Sequence, residues 1–558
     1  MMTVHKGAVR KAARLALKFR DDTSGNVAIV FALMGVVLMV AIGAAVDVGR
    51  WLHARDQTVA AIDAAVLAGG RALQTNSTEA VAIAAAKKYY DENVTSRLRV
   101  INDTVTFKVA PDGMGITGSG TADIKTPFLS FANVNSLPLL SSSQTEFGKS
   151  EIAVGGNNGQ NLEVSLILDI TGSMAGQKLT VLKTAAKDLV NIIIREKSSE
   201  YTSKVALVPY SMGVNAGDYA DKVRGAPPAP KTITKTKANP VVITAKAHGF
   251  ANNDIVYITG VKGMTQLNGK PYTVKNKTTN TFELYSVVAN GSATKINGSG
   301  YSTYSSGGDA YCTKDRCEYR QFFNPSSQSR VFLKSKCVAE RTGTAAYNDD
   351  APNTASTLVG ANYPAPDNTC PTNEIQPLTS DKQSVLNQIS ALDDGGSTAG
   401  QIGIAWGWYM LSPNFGYLWP SNQPAPYGDL KALNDHGAPK LKKIAVIMTD
   451  GDFNTPYCTG VISKDALSGS GAPADHINCN ATNSNSFAQA KLLCTAMKKA
   501  GITVYTVGFD VANLAAARQV MTECATDPTT AYIADDGEEL AQAFRDIALK
   551  MTSLYISK

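Results

Sequence analysis

The chain opens on an unbroken, uncharged apolar run over residues 27–46 (VAIVFALMGVVLMVAIGAAV), about the ~20 residues that cross a bilayer core as a helix. Helical composition without proline continues to about Leu73, and Ala60, Ala61, Ala64, Ala65 and Ala68 form a small-residue face suited to close helix packing. A further helix is predicted over roughly 78–92, after which the period changes to alternation, VTFKVA and GTADIKT, predicting a small sheet. Beyond the linker GGNNGQ (155–160), apolar strands alternate with amphipathic helices. Residues 164–168 read as a buried strand, 179–194 as a helix and 204–210 as a strand. Residues 486–500 then read as a helix ended by Gly501, GITVYTVGFD and 532–536 as strands, and EELAQAFRDIALKMTSL as a last helix. Strands alternating with helices predict a doubly wound α/β domain. Far more residues separate the strand at 204–210 from Thr398 than a loop holds. Of these, 231–308 are polar and alternating (VVITAKA, DIVYITGV, NTFELYS), predicting an inserted small β-barrel. Residues 309–375 hold four cysteines, and a shorter insertion at 412–439 carries Trp419, Pro420, Pro424 and Pro426.

Composition narrows the class. With 558 residues, the chain exceeds one core and predicts three or four domains at about 150 residues each. Hydrophobic residues make up 44% and charged ones 18%, as in folded globular material. The net charge of +6 is mild, and no basic stripe interleaves with aromatics, so no nucleic-acid partner is expected. Part of that charge is Lys6, Arg10, Lys11, Arg14, Lys18 and Arg20, ahead of the apolar run. A basic flank stays cytoplasmic, so everything after Asp47 is expected to be exported. All eight cysteines follow residue 311: Cys312, Cys317, Cys337, Cys370, Cys458, Cys479, Cys494 and Cys524. An even number confined to the exported part predicts disulfides. Zinc is not expected, since no CxxC occurs and the histidines (His5, His53, His248, His436, His476) are scattered. HExxH, GxSxG and Walker A motifs are missing, so the chain is not expected to be an enzyme.

One constellation carries chemistry. Asp169 sits at the end of a buried strand, and Thr171 and Ser173 follow on the strand-to-helix loop. Ligand sites of open α/β sheets lie at such strand ends. One carboxylate and two hydroxyls provide about half the oxygen shell that Mg²⁺ requires. Thr398 precedes an apolar helix in DDGGSTAGQIGIAWGWYML, and Asp450 ends a second buried strand in KKIAVIMTDGD. Asp393, Asp394 and Asp452 are expected to be solvated loop residues. Without an ion, the same Asp, Ser and Thr residues would simply cap helices.

Three resemblances follow from these residues. SGNVAIVFALMGVVLMVAIGAAVDVGRW followed by AAIDAAVLAG resembles the N-terminal segment of tight-adherence (Flp) pilus-assembly proteins of the TadE/TadG type. The family's D-x-x-G, D-x-[GA]-R and A-x-D-A-A-x-L-A-G elements stand at 22–25, 47–50 and 61–69. Val30 occupies the place where pilin-type processing after Gly25 wants glutamate, so a retained anchor is expected. Asp169-Ile170-Thr171-Gly172-Ser173 resembles the D-x-S-x-S element of the metal-ion-dependent adhesion site of von Willebrand factor A (vWA) domains, in the DxTGSM form typical of TadG-like proteins. Thr398 and Asp450 match that family's threonine and second aspartate. The wording VTAxxHGF…VYITGVKGM…LNGxxYTV, beginning here at Ile243, is similar to a small β domain of ubiquitin-activating enzyme E1; it implies a binding or spacer module, with no ubiquitin chemistry.

The resemblances imply a cytoplasmic leader (1–25), a transmembrane helix (26–48), a pilin-like α+β region (49–154) and a Rossmann-like, doubly wound vWA domain (161–558) carrying the insertions. They also imply Mg²⁺, or Mn²⁺ or Ca²⁺, on Asp169, Thr171, Ser173, Thr398 and Asp450, and a bridge between Cys494 and Cys524. The other six cysteines allow 15 connectivities. The implied partners are the Flp pilus machinery or pilin subunits, and a protein ligand offering an Asp or Glu carboxylate to the ion. The implied place is the bacterial inner membrane, single-pass, with the C-terminal domain periplasmic or displayed on the surface. Alternatives are a structural minor pilin or scaffold without metal-dependent binding and, as a third, a metal-dependent hydrolase.

Overall fold

The computed structural model describes residues 26–557, apart from 75–77, 98, 111–114, 141–147, 155–159, 195–200 and 436. The basic leader, the 22–25 element, most of the linker at 155–160, His5 and His436 therefore lie outside the described residues. The chain divides into two compact units, one running to Ile152 and resuming at Leu554, the other spanning Ala153–Ser553.

The first unit is built on helix α1 (Asn26–Gln74), which continues past the apolar run as one rod. Its outer half buries Ala61, Ile62, Ala65 and Val66, with spacings of three and four that place them on one stripe. Helix α2 (Glu79–Val94), capped by Thr78, packs on that stripe through Ala82, Ala86 and Tyr90. The predicted alternation forms two small sheets, one of three strands and one of four. The fourth strand of the latter is Thr552–Ser557, where the sequence reading continued the last helix. The vWA assignment of 161–558 is corrected accordingly: the body ends with its last helix at Met551, and the β-branched and aromatic run TSLYIS goes extended and joins the first unit's sheet.

The second unit contains the α/β body. Its strands are β1 (Asn161–Asp169), β2 (Ser203–Tyr210), β3 (Gln376–Thr379), β4 (Leu441–Thr449), β5 (Thr503–Phe509) and β6 (Ala531–Ala534). They lie in the order 3-2-1-4-5-6, parallel throughout except for the antiparallel edge strand β3. Successive side chains of a strand point to opposite faces, and this sheet is apolar on both. Val164, Leu166 and Leu168 pack under α3 (Gln177–Ile193), α4 (Lys382–Ser390) and α8 (Gly537–Met551). Ile167, Val208 and Ile447 pack under α5 (Gly400–Leu411), α6 (Ser486–Lys499) and α7 (Ala515–Cys524).

Helix α5 is apolar all round and almost wholly buried, as expected of a helix covered on every side. It rests on the sheet through glycine: an added methyl at Gly403 would meet the Tyr210 ring at 2.5 Å, and one at Gly407 would meet Ile167 at 2.1 Å. That close approach fixes the height of the loop carrying Thr398 just before α5.

The inserted β module runs further than 231–308. Strand Asp309–Cys312 pairs between Lys231–Thr232 and Ile255–Thr259, so the boundary moves to Cys312. Seven strands wrap one core, and they close because both edges belong to one bent segment. The start of that segment (Lys231–Thr232) pairs with Asp309–Cys312, and its continuation (Lys235–Lys237) pairs with Val242–Thr244. The 309–375 region is more than loop: it holds a hairpin (Tyr319–Phe323 with Ser329–Leu333) and a strand, Cys337–Ala339, that pairs with Val214–Asn215. All eight cysteines are bonded, as Cys312–Cys317, Cys337–Cys370, Cys458–Cys479 and Cys494–Cys524.

Candidate metal centre

The strand order reverses between β1 and β4, where β2 lies to one side of β1 and β5 to the far side of β4. Ligand crevices of open α/β sheets open at such a switch point, beyond the carboxyl ends of the strands. Asp169 is the last residue of β1, and Asp450 immediately follows β4.

Backbone hydrogen bonds draw three loops together there. Gly172 N donates to Gly396 O (3.0 Å) and Gly395 N to Ile170 O (2.9 Å), tying the Thr398 loop to the Asp169 loop. Thr398 O accepts from Asn454 N (3.0 Å), while Thr398 N donates to Asn454 Oδ1 (2.9 Å), tying it to the Asp450 loop.

The side chains form a continuous oxygen chain. Asp169 Oδ1 accepts from Thr171 N (2.9 Å) and Thr171 Oγ1 (2.6 Å), and the Thr171 and Ser173 hydroxyls are 3.0 Å apart. Ser173 Oγ donates to Asp450 Oδ1 at 2.6 Å. Four of the five residues chosen from sequence, Asp169, Thr171, Ser173 and Asp450, are thus brought into one cluster. The fifth, Thr398, is buried at the same loop junction, but among the described residues no hydrogen bond joins its hydroxyl to the other four. Asp393 is exposed, and Asp452 Oδ1 accepts from Ala517 N (3.2 Å) near the start of α7, which makes Asp452 a helix cap rather than a solvated loop acid.

Four further residues belong to the site. Asp169 Oδ2 accepts from Thr449 Oγ1 (2.7 Å) and from the Tyr210 hydroxyl (3.2 Å). Lys178, on the first turn of α3, bridges Asp450 Oδ2 (3.0 Å) and Asp510 Oδ2 (2.9 Å). Asp510 reaches it from the end of β5 with φ +54°, a left-handed conformation that aspartate tolerates better than most residues. Each of the four stands at a strand end or helix start. That position was the available sequence signal, but nothing local says which way the side chain turns.

The electrostatics favour a cation. Asp169 is fully enclosed, and burial, then the Asp450 carboxylate, push its carboxyl up to about 6 against the hydrogen bonds from Thr171 and Thr449. Burial, then the Asp169 charge, also drive the Tyr210 phenol far above its ordinary value, so it acts only as a neutral donor. For Lys178, burial pulls the ammonium down, but the contacts to Asp510 and Asp450 outweigh it and raise the group. Among the described residues no group of three or more His, Cys, Asp or Glu side chains gathers as a metal cage. The donor set here is two carboxylates completed by hydroxyls, all oxygen, which suits a hard dication that keeps some of its waters.

Residues 25–72 match the family model for putative Flp pilus-assembly TadE/G-like proteins. Residues 238–314 match that of the ubiquitin-activating enzyme E1 FCCH domain. No curated protein matches the chain. Similar solved structures include the vWF domain of the type V pili tip protein Mfa5 from Porphyromonas gingivalis, at 11% identity and TM-score 0.30, covering 70% of this chain and 94% of that one. The adhesive tip pilin GBS104 from Group B Streptococcus agalactiae is 12% identical at TM-score 0.28, covering 70% and 100%. The pilus adhesin RrgA from Streptococcus pneumoniae is 11% identical at TM-score 0.32; the alignment takes in 82% of this chain, which spans about half (53%) of RrgA. The sheet order and the placement of the three loops, rather than these distant likenesses, define the fold. The N-terminal segment is therefore similar to that of the TadE/G-like proteins of Flp pilus assembly, and the α/β body of the second unit has a vWA-like fold.

Proposed function

We propose that this protein is a membrane-anchored, exported component of Flp pilus assembly or adhesion that grips a partner through a divalent cation. Asp169, Thr171, Ser173, Thr398 and Asp450 would hold the ion, Mg²⁺ by preference, with Mn²⁺ or Ca²⁺ as substitutes. The bound ion would supply a coordination position for an Asp or Glu carboxylate of the partner, a pilin subunit or a member of the pilus machinery. No catalytic role is assigned. The observation that carries the reading is the 2.6 Å contact from Ser173 to Asp450 beside the enclosed Asp169, which gathers oxygens from distant loops at one strand edge.

Two features support it. Helix α1 begins with the one segment among the described residues that is long and apolar enough to cross a membrane, which suits the expected anchor and periplasmic exposure. The chain enters the α/β body at Asn161 and leaves after Met551. Both points lie at the amino edge of the strands, because α8 descends from the top of β6 over about 22 Å. The candidate metal centre sits at the opposite edge, where a partner can reach it.

The test is titration of the full chain, in detergent, with Mg²⁺ by calorimetry and thermal melting. Wild type should bind and melt higher, while Asp169→Ala should stay folded and show neither response. A metal-independent structural role has one observation in its favour, namely that Lys178 and the hydroxyls already satisfy both carboxylates. Absence of heat and of any melting shift in wild type would select that role.

A further inference from the structure

We infer that the loop around Phe131 is a second membrane contact, seated in the lipid interface beside the point where α1 leaves the bilayer. The inference rests on reading residues 27–46 as the membrane span.

The first charged residue after that apolar run is Asp47, and its side chain is 1% exposed. Its Oδ2 accepts two backbone hydrogen bonds, from Phe128 N and Leu129 N, both at 2.8 Å, and so caps the single 3₁₀ turn Leu129–Ala132. One turn earlier on the same helix face, a methyl added at Gly43 would lie 2.8 Å from Phe128 Cβ, so glycine lets the loop lie against the helix backbone. One turn later, Trp51 Nε1 donates to Pro138 O at 2.7 Å. Three successive turns of α1, over about 12 Å, therefore hold this segment alongside the end of the span. The loop is also closed at its neck, where Thr126 Oγ1 donates to Val134 O (2.6 Å) and Thr126 N to Asn135 O (3.1 Å).

What the clasp presents outward is apolar. Phe131 is 83% exposed, and Phe128 and Val134 are partly exposed beside it. The sequence between Lys125 and Glu146 contains no charged residue. Phe128 lies against α1 at Gly43, and Ile42 and Val46, the neighbours of Gly43 and Asp47 on the helix, are also exposed. One continuous apolar surface thus runs from helix to loop, and lipid is the solvent the helix part already requires. Exposed Phe side chains bury at the headgroup–acyl boundary, and the Phe128 and Leu129 N–H groups satisfy one oxygen, Oδ2, of the Asp47 carboxylate beside it.

The experiment uses the full chain in phosphatidylethanolamine–phosphatidylglycerol vesicles. Because all eight native cysteines are paired, an introduced thiol is the single labelling site. Nitroxide labels at Phe131→Cys, at Val37→Cys within the span and at exposed Thr106→Cys are compared by collision with oxygen and with a polar nickel chelate. The oxygen-to-nickel ratio at 131 should be several-fold that at 106 and shifted in the same direction as at 37. A ratio at 131 equal to that at 106, with 37 shielded, overturns the loop contact while leaving the anchor intact. A label at 131 shielded from both reagents means that protein covers the loop, which also overturns it. An aqueous signature at 37 removes the anchor itself and this inference with it.

Discussion

Ser173 and Asp450 stand 277 residues apart in sequence, and the hydroxyl of one donates to the carboxylate of the other at 2.6 Å. The contact crosses the point where strand order reverses, so it reports that β1 and β4 are neighbours and in register. It also brings Asp450 close enough to Asp169 that its carboxylate disfavours the Asp169 charge. Burial and the Asp450 charge thus put the Asp169 carboxylate under tension, which the proposed cation would relieve.

That tension predicts opposite effects of one substitution. Asp169→Asn removes a buried charge, so at pH 7 the cation-free protein should become more stable, by on the order of 1–3 kcal/mol. The same variant should lose all Mg²⁺-dependent increase in melting temperature. Denaturant unfolding with chelator and with Mg²⁺ measures both. A destabilised variant in chelator would show that the carboxylate is not under strain.

Lys178 holds Asp450 from the other side, at 3.0 Å, and competes with any dication for that carboxylate. Lys178→Met should therefore raise Mg²⁺ affinity by about fivefold, corresponding to roughly 1 kcal/mol for a partly exposed ion pair. Calorimetric titration checks this. A fall in affinity would mean that Lys178 positions Asp450 rather than competing for it.

Glu340 provides a pH dependence away from the candidate metal centre. Its Oε1 accepts from Gln401 Nε2 (2.9 Å), Gln489 Nε2 (3.3 Å) and Tyr457 N (3.3 Å). Burial nonetheless pushes the carboxyl up to about 7. A raised carboxyl holds its proton in the fold longer than in the unfolded chain. Its effect on stability is therefore most favourable below the ordinary glutamate range, about pH 4, and is lost as pH climbs toward 7. The loss should be on the order of 3 kcal/mol. Glu340→Gln should remove this slope, and the difference between the two proteins' unfolding free energies across pH 4–8 isolates it. A difference that does not vary with pH would contradict the assignment.

Lys443 and Glu163 form a buried ion pair between β4 and β1, with Lys443 Nζ also donating to Leu411 O (2.8 Å) and Glu163 Oε1 accepting from Ala425 N (2.8 Å). Lys443→Met leaves the glutamate buried and unpaired, and should cost about 3–5 kcal/mol. The double variant Lys443→Met with Glu163→Gln should recover most of that loss, since the amide keeps an acceptor for Ala425. Urea midpoints of the three proteins decide it; a double variant as unstable as the single would refute this account.

Much of the scaffold was legible because its signals are local. The strand ending at Asp169, the helix ended by Gly501 and the helical rod of α1 each follow from a period and a terminator within one short window. The misreadings have equally specific causes. Residues 309–312 read as the start of a cysteine-rich loop, although they form a strand whose partners lie 50 or more residues earlier. The segment after Met551 read as a helical tail because nothing nearby announces a sheet in the other unit.

By itself, the sequence determined which segments are helix, strand or membrane-length apolar run, and which oxygen-bearing residues stand at strand ends. Periodicity and capping act over a turn or two, and such information survives without knowledge of the fold. Only the tertiary structure decided that Ser173 meets Asp450, that Lys178 turns toward the acids, that Thr449 and Tyr210 enclose Asp169, and how the six cysteines other than Cys494 and Cys524 pair. Those outcomes depend on closing loops tens to hundreds of residues long, and a chain's local composition does not encode which of its distant parts become neighbours.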